Sequence, residues 1–326
     1  MSTPDVSTPG KTTRPAPLPT INGLAPSYKH LPAKGPWATM FDYLVEAFPR
    51  VPAEVLLARM VKGDVVDEQG VAIRPDTPFR PRACLYYYRE VPDEPQIPFT
   101  EAIVHQDAHL LVADKPHFLP VIPAGRFLNE TLLIRLRRRT GIDTLVPLHR
   151  LDRETAGLML FSVNPDTRAA YATLFPERRV EKVYEAVADV RPELAFPRIH
   201  RSRLGTAEPF FRRGEIEGTP NSETEMALLS SWRRADGQLC GHYRLKPLTG
   251  RQHQLRVHMA ALGLGLHNDR LYPELRDDLP EDYAKPLQLL ARRLRFFDPL
   301  SGEAREFESR LQLSEVPENV RNFSAG

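Results

Sequence analysis

The chain has 326 residues, 41% hydrophobic and 26% charged, with a net charge of +2. These are ordinary values for a soluble globular protein with a sizeable core. No run approaches the ~18 apolar residues of a membrane span, no secretion signal is visible at the N-terminus, and the only two cysteines, Cys84 and Cys240, form no CxxC pair and fit neither a cysteine metal site nor a disulfide framework. A reduced, cytoplasmic setting without membrane contact is expected.

Residues 1–36 contain eight prolines and few large apolar side chains, which predicts a disordered tail. Order is expected from Trp37. Thr39 and Asp42 form an N-cap pattern ahead of Phe41, Leu44, Val45 and Phe48 at helical spacing. A second short helix follows Pro52, with Val55, Leu56 and Met60 on one face. Val65-Val66 and Val71-Ala72-Ile73 flank Asp67-Glu68-Gln69-Gly70 and read as a hairpin. This predicts a small helix-helix-hairpin module over residues 37–90, closed by the strand-like Leu85-Tyr86-Tyr87-Tyr88, and then an acid- and proline-rich linker over 91–98.

Beyond the linker, strands are expected at Ala102-Ile103-Val104, Leu110 to Ala113, Leu158 to Val163, Val180 to Val190, Glu223 to Ser231, Leu239 to Lys246, Gln288 to Phe297 and Glu303 to Glu308. Helices are expected over 131–139 with Asn129 as cap, over 165–175, and over 252–262, where Gln252 and Arg256 would share a face. Strands outnumber helices and do not alternate with them. The expected class is α+β with a mixed, largely antiparallel sheet over 98–312 and a C-terminal tail at 313–326.

Of the 44 basic side chains, 36 are arginine. They cluster at Arg135 to Arg139, Arg178-Arg179, Arg198 to Arg203, Arg212-Arg213 and Arg292 to Arg295. Arginine presents a planar fork of donors that fits phosphate and stacks on bases, so a one-sided basic surface for nucleic acid is one reading and solvated charge is the other. Chemistry concentrates in three places. Asp152 lies between Arg150 and Arg153, directly before an apolar strand. Tyr184 sits mid-strand in Lys182-Val183-Tyr184. The third is Thr249-Gly250-Arg251-Gln252-His253-Gln254-Leu255-Arg256-Val257-His258. His253 and His258 are five apart, not the four that aligns two ligands on a helix, so no metal site is expected.

Together the three stretches resemble a known family. His149-Arg150-Leu151-Asp152-Arg153-Glu154-Thr155-Ala156-Gly157 is similar to the signature motif of the RluA-type pseudouridine synthases. Leu111 to Pro116 resembles their opening motif, Lys182-Val183-Tyr184 their tyrosine motif, and Leu248 to His258 their TGR-x-HQ-x-R-VH motif. The 37–90 module is similar, more loosely, to the alpha-L RNA-binding module that precedes many of these enzymes. Ala156 stands where serine is common, Gln252 where threonine or serine is common, and His267-Asn268-Asp269 replaces a more usual Gly-Asp. Leu289-Leu290-Ala291 lacks the histidine often found before that alanine.

The resemblance implies isomerisation of uridine to pseudouridine in structured RNA, ribosomal RNA ahead of transfer RNA, without cofactor or metal. A monomer is expected, though not from the resemblance. The resemblance implies that Asp152 is the catalytic carboxylate, acting at C1′ or as the base that opens a glycal route. It further implies that Arg256 is the counter-ion, that Tyr184 meets the base, and that Arg150 holds the RNA once the uridine is flipped out. Further substrate contacts are implied at His149, Thr155, Lys182, Arg251, His253 and Gln254, with Arg153 open between structural and substrate roles. Two other readings fit a basic surface with a carboxylate: a uridine N-glycosylase, which would release free uracil, and a non-catalytic RNA-binding or ribosome-assembly factor, in which an aspartate among phosphates would only repel.

Overall fold

The computed structural model describes residues 16–276 and 280–321, and the chain divides between Asp93 and Glu94 into two units. The first contains β1 (Ser27–His30), α1 (Met40–Ala47), α2 (Ala53–Lys62), β2 (Val65–Val66) and β3 (Cys84–Tyr87). α1 starts where its cap pattern places it. The Thr39 hydroxyl accepts from the Asp42 N–H at 3.1 Å, and the Asp42 carboxylate accepts from the Thr39 N–H at 2.9 Å, so two otherwise orphaned donors are satisfied reciprocally. α2 follows Pro52 and ends at Gly63 in the left-handed conformation, φ +88°. The apolar faces of the helices, with Met40, Tyr43, Leu44, Leu56 and Met60, close on Val65, Ile73 and Leu85. The expected hairpin is present as a tight loop, in which Ile73 N donates to Val65 O at 2.9 Å.

The expectation of a disordered tail through residue 36 is corrected from residue 16 onward; residues 1–15 lie outside the described residues. β1 pairs antiparallel with β3 to give the sheet order β1-β3-β2, and Leu31 is buried. Four residues flanked by prolines carry too short an alternation to stand out in sequence, yet an outer strand accommodates such flanks.

The second unit runs β4 (Ala102–Gln106), β5 (Leu110–Lys115), α3 (Leu132–Thr140), β6 (Val146–Pro147), β7 (Ala156–Ser162), α4 (Arg168–Thr173), β8 (Glu181–Asp189), β9 (Arg198–Ala207), β10 (Arg212–Ile216), β11 (Ser222–Arg233), β12 (Leu239–Pro247), α5 (Gln254–Ala261), β13 (Leu289–Phe297), β14 (Ala304–Glu308) and α6 (Glu318–Arg321). One sheet of 11 strands orders them β10-β9-β11-β12-β8-β13-β7-β5-β4, with β14 on β13 and β6 on β7. The pairing of β13 with β7 is parallel and the others are antiparallel. The α+β class and the mixed, largely antiparallel sheet are as expected.

β7 is buried along its whole length, because both of its faces are covered. Met159 and Phe161 pack with Leu132 and Leu136 on one side, Leu158 and Leu160 with Tyr171 and Leu174 on the other. Each such burial contributes about 1.5–3 kcal/mol. At its start Gly157 has φ +111°, and a Cβ there would lie 2.3 Å from the Ala291 carbonyl oxygen. Only glycine permits this approach of β7 to β13.

Several boundaries shift. Thr131, not Asn129, caps α3 by accepting from Ile134 N, while the Asn129 amide donates to Glu94 at 2.9 Å. Glu94 also accepts the N–H groups of Leu128 and Glu130, so the second unit begins in the expected linker, ahead of residue 98. The expected C-terminal tail is corrected as well: Leu313 and Val316 are buried with Ala156, Val187 and Leu290. Residues 322–326 lie outside the described residues. β9 and β10 were not expected. α5 starts at Gln254, so Gln252 precedes the helix and shares no face with Arg256.

Candidate active site

Asp152 lies in the loop of residues 148–155 that leads from β6 into β7. Polar contacts fasten this loop along its length. Leu148 N donates to Leu160 O at 2.9 Å, Leu160 N donates to His149 Nε2 at 3.0 Å, and Thr155 N donates to Asp152 O at 3.2 Å. From below, Lys115 at the end of β5 donates to the carbonyls of Pro116, Leu119 and Arg153 at 2.9–3.0 Å. Its three ammonium donors thus meet three acceptors in a site without solvent exposure. Burial draws the Lys115 ammonium down to about 7, against the pull of Glu154 and Asp152 in the other direction.

The Asp152 carboxylate sits between two donors. Arg256 Nη1 is 3.3 Å from Oδ2 and His253 Nε2 is 3.7 Å from Oδ1. Burial alone would raise the aspartate, yet its pKa lies below the usual value because His253, Arg256 and Arg150 outweigh desolvation. His253 is itself held below the ordinary histidine value by burial. The carboxylates around it pull the other way, and the permanent counter-charges of Asp152 are the two guanidinium groups.

Arg256 is 1% exposed. Such a charge needs full compensation, and Asp269 supplies it with a two-pronged pair: Nε to Oδ2 at 2.8 Å and Nη2 to Oδ1 at 2.6 Å. The Tyr272 ring lies 5.4 Å from the guanidinium carbon, and Glu154 is 3.8 Å from Nη1. Desolvation opposes the charge, but Asp269 together with Asp152 and Glu154 raises the pKa further above its ordinary value.

Tyr184 reaches the same place through strand register. Gly157, Ala291, Tyr184 and Leu245 form one row across β7, β13, β8 and β12. The ring is half-buried, and its hydroxyl makes no hydrogen bond to another described residue. Burial and the nearby Asp152 charge push its pKa upward, so it is a neutral phenol with a free donor.

These groups border a cleft of about 970 Å³, room for a nucleotide and its flanks. Arg150, Arg178, Arg179, Lys182, Lys246, Arg251 and Arg295 ring it, against Glu181 and Glu225. The Arg150 side chain is exposed, and its guanidinium has no hydrogen-bond or ion-pair partner among the described residues. The Lys182 ammonium is likewise without one, and burial lowers its pKa.

Ten of the eleven expected site residues border this cleft: Asp152, Tyr184, Arg256, His149, Arg150, Thr155, Lys182, Arg251, His253 and Gln254. Arg153 does not. It pairs with Glu281 at 2.5 Å and Glu154 at 3.1 Å and lies over Phe127, so it is structural. Two of the ten have their polar atoms committed inside the protein. Gln254 accepts from Thr249 Oγ1 and Arg251 N and donates to Glu223 O and Thr224 Oγ1, which uses all four of its hydrogen bonds. His149 accepts from Leu160 N and stacks on Phe175 at 4.7 Å, and burial pulls it down to about 3. Both brace the wall of the cleft that they border. Sequence reasoning missed Lys115, Asp269 and Tyr272. Asp269 had left a trace as the aspartate of His267-Asn268-Asp269.

Among the described residues two clusters have metal-ligand chemistry, Asp189–Cys240–His267 and His200–Glu215–His258. Neither borders the cleft, and both are internally bonded: His267 joins Asp189 at 2.9 Å to Glu315 at 2.6 Å, and His258 meets Thr224 and Ser222 at 2.9 Å. No helix among the described residues is long and apolar enough to cross a membrane.

The chain matches the family model described as RNA pseudouridylate synthase over residues 109–261. It is 28% identical over 309 residues to ribosomal large subunit pseudouridine synthase D of Zymomonas mobilis, covering 85% of this chain and 90% of that one. It is 32% identical to the dual-specificity RNA pseudouridine synthase RluA of Vibrio vulnificus, covering 64% of this chain and 81% of that one. Human RNA pseudouridylate synthase domain containing 1 has a similar structure, with a TM-score of 0.54 and 26% identity over 72% of this chain and 98% of that one.

Proposed function

The chain belongs to the RluA-type family of RNA pseudouridine synthases, enzymes that isomerise uridine to pseudouridine in RNA, and we propose that Asp152 is the carboxylate with which it does so. The observation that carries this reading is the pairing of Asp152 with Arg256 at 3.3 Å at the base of the basic cleft. The reaction breaks the N1–C1′ bond, turns the base and joins C5 to C1′, while the C5 proton is lost and N1 takes one up. It needs an ionised group beside C1′ in a site that excludes water. Arg256, backed by Asp269, keeps Asp152 ionised there without the desolvation penalty removing the charge. Tyr184 lies where a flipped uracil would stack or accept its hydroxyl proton. Arg150, exposed and unpaired, is placed to fill the gap that the flipped base leaves.

We further propose that the target is ribosomal RNA ahead of transfer RNA. The relative from Zymomonas mobilis, named for the large ribosomal subunit, aligns over 309 residues, a span that must include part of both units. The first unit exposes Lys34, Arg50, Lys62, Arg74, Arg80 and Arg82, of which Lys62 and Arg80 pair with Asp64 and Asp67; exposed cations of this kind make phosphate contacts. We read the enzyme as a cytoplasmic monomer that needs no metal or cofactor.

The test uses purified chain and total RNA from cells that lack it. New pseudouridines should map to discrete positions, mainly in ribosomal RNA, without free uracil. Asp152→Ala should form none. Pseudouridine at the wild-type level with Asp152→Ala would overturn the assignment of the carboxylate, and release of free uracil would favour base excision instead.

A further inference from the structure

Tyr272 touches both donors of the Asp152 carboxylate. Its ring lies under Arg256, and its hydroxyl is 2.9 Å from His253 Nδ1. The direction of that bond can be read from the third partner. The backbone N–H of Arg213, on β10, donates to the Tyr272 oxygen at 2.7 Å, and an N–H can only donate. Tyr272 is 4% exposed, so its own hydroxyl proton needs an acceptor inside the protein. Nδ1 of His253 is the acceptor beside it. A neutral imidazole that accepts at Nδ1 carries its proton on Nε2, and Nε2 faces Asp152 Oδ1 at 3.7 Å.

We propose that His253 is a positioning residue for Asp152: Tyr272 locks its neutral imidazole as the Nε2–H tautomer, and that N–H orients Oδ1 while Arg256 holds Oδ2. The inference rests on the reading of Asp152 as the catalytic carboxylate. With one oxygen held by a cation and the other by a neutral donor, the carboxylate gains a fixed plane without a second full positive charge to damp its reactivity. The 3.7 Å separation is longer than a full hydrogen bond; such contacts tighten when substrate closes a site. The charged groups around the imidazole are Asp152 and Glu154 from the loop before β7, Arg256 from α5, and Asp269 from the segment after α5. The three carboxylates favour its protonation, and burial and Arg256 oppose it. The Tyr272 proton adds to the second side, because Nδ1 cannot bind a proton while it accepts one.

A long-range proton–nitrogen spectrum of the full chain labelled with ¹⁵N-histidine reads the tautomer directly. The expected result is Nε2–H at His253 in the wild type, and in Tyr272→Phe either a mixture of tautomers or protonation at higher pH. Single-turnover pseudouridine formation is measured beside it on total RNA from cells lacking the protein. Tyr272→Phe should lose about tenfold in rate, with half-saturation changed by less than about twofold. Its acid limb should move to higher pH. His253→Gln, whose amide can donate to Asp152, should stay within about fivefold of wild type, while His253→Leu should lose about 100-fold. An Nδ1–H tautomer in the wild-type protein would overturn the proposal, even if His253→Leu failed to fold. So would a wild-type rate in His253→Leu while Asp152→Ala is inactive. Activity retained in Asp152→Ala would instead remove the reading of the carboxylate on which the proposal rests.

Discussion

The two sides of the cleft are built on opposite terms. On the α5 side, Arg256 is sealed from solvent, gripped twice by Asp269 and backed by Tyr272. On the rim, Arg150, Arg178, Arg251 and Arg295 are exposed and Lys182 is half-buried. The difference separates two tasks that arginine can perform. A guanidinium that sets the state of a carboxylate must not move, because a displacement of about 1 Å at a reacting group is costly. A guanidinium that meets RNA gains from a free fork that adapts to phosphate and base.

Removing the sealed side should have the largest effect. In Arg256→Leu the rate of pseudouridine formation should fall about 10²–10³-fold. Asp269 would be left buried without its partner, so stability should fall by about 3–5 kcal/mol. Single-turnover kinetics and thermal denaturation check both, and a normal rate would show that the pair does not serve the chemistry. Asp269→Asn is a smaller insult, since the amide can still accept from the guanidinium. A loss of about 10–100-fold in rate is expected, with half-saturation nearly unchanged, because the geometry of the reacting group suffers rather than RNA binding.

The rim should behave in the opposite sense. Arg150→Ala should weaken RNA binding about tenfold and lower the salt dependence of binding by about one unit of log–log slope, while the melting temperature stays put. A fall in stability would place Arg150 in the framework instead. The smallest effect concerns pH. The Asp152 pKa lies below its ordinary value, so the charge that pairs with Arg256 is complete above the unfolded value of about 3.9. Its contribution to stability is lost only as pH falls through the lower folded value. Between pH 7 and 5 the Asp152–Arg256 contribution should therefore be constant. In calorimetry, Asp152→Asn should differ from wild type by the same amount at both pH values.

The parts of the fold visible in the sequence are those with a local signature. The capping box of α1, the start of α2 after Pro52 and the apolar run of β7 all follow from neighbours in the chain. β9 and β10 escaped because β10 is the edge strand of the sheet and β9 lies next to it. Their residues are half-exposed, and arginines and other polar side chains fill positions where a buried strand shows apolar ones. The site divides in the same way. Asp152, Tyr184 and Arg256 stand in compact motifs, and the expected pairing of Asp152 with Arg256 is present. Asp269 and Tyr272 act across a chain reversal after α5, and no periodicity links them to their partners. Gln254 and His149 read as substrate contacts because polar residues in a motif invite that role; in the structure Gln254 bonds the hydroxyls of Thr249 and Thr224 and the backbone of Arg251 and Glu223, and His149 accepts from Leu160 N. Arg153 sits one residue from Asp152 in sequence yet turns to the other side of the loop, towards Phe127 and Glu281.

The most direct measurement is pseudouridine formation by Asp152→Asn in single turnover, with RNA binding measured on the same preparation. The variant keeps the size of the side chain and loses only the ionised group. The expected result is no pseudouridine, with RNA affinity within about threefold of wild type, because the rim arginines dominate binding. Pseudouridine appearing at the wild-type rate would contradict the assignment of Asp152 as the group that does the chemistry.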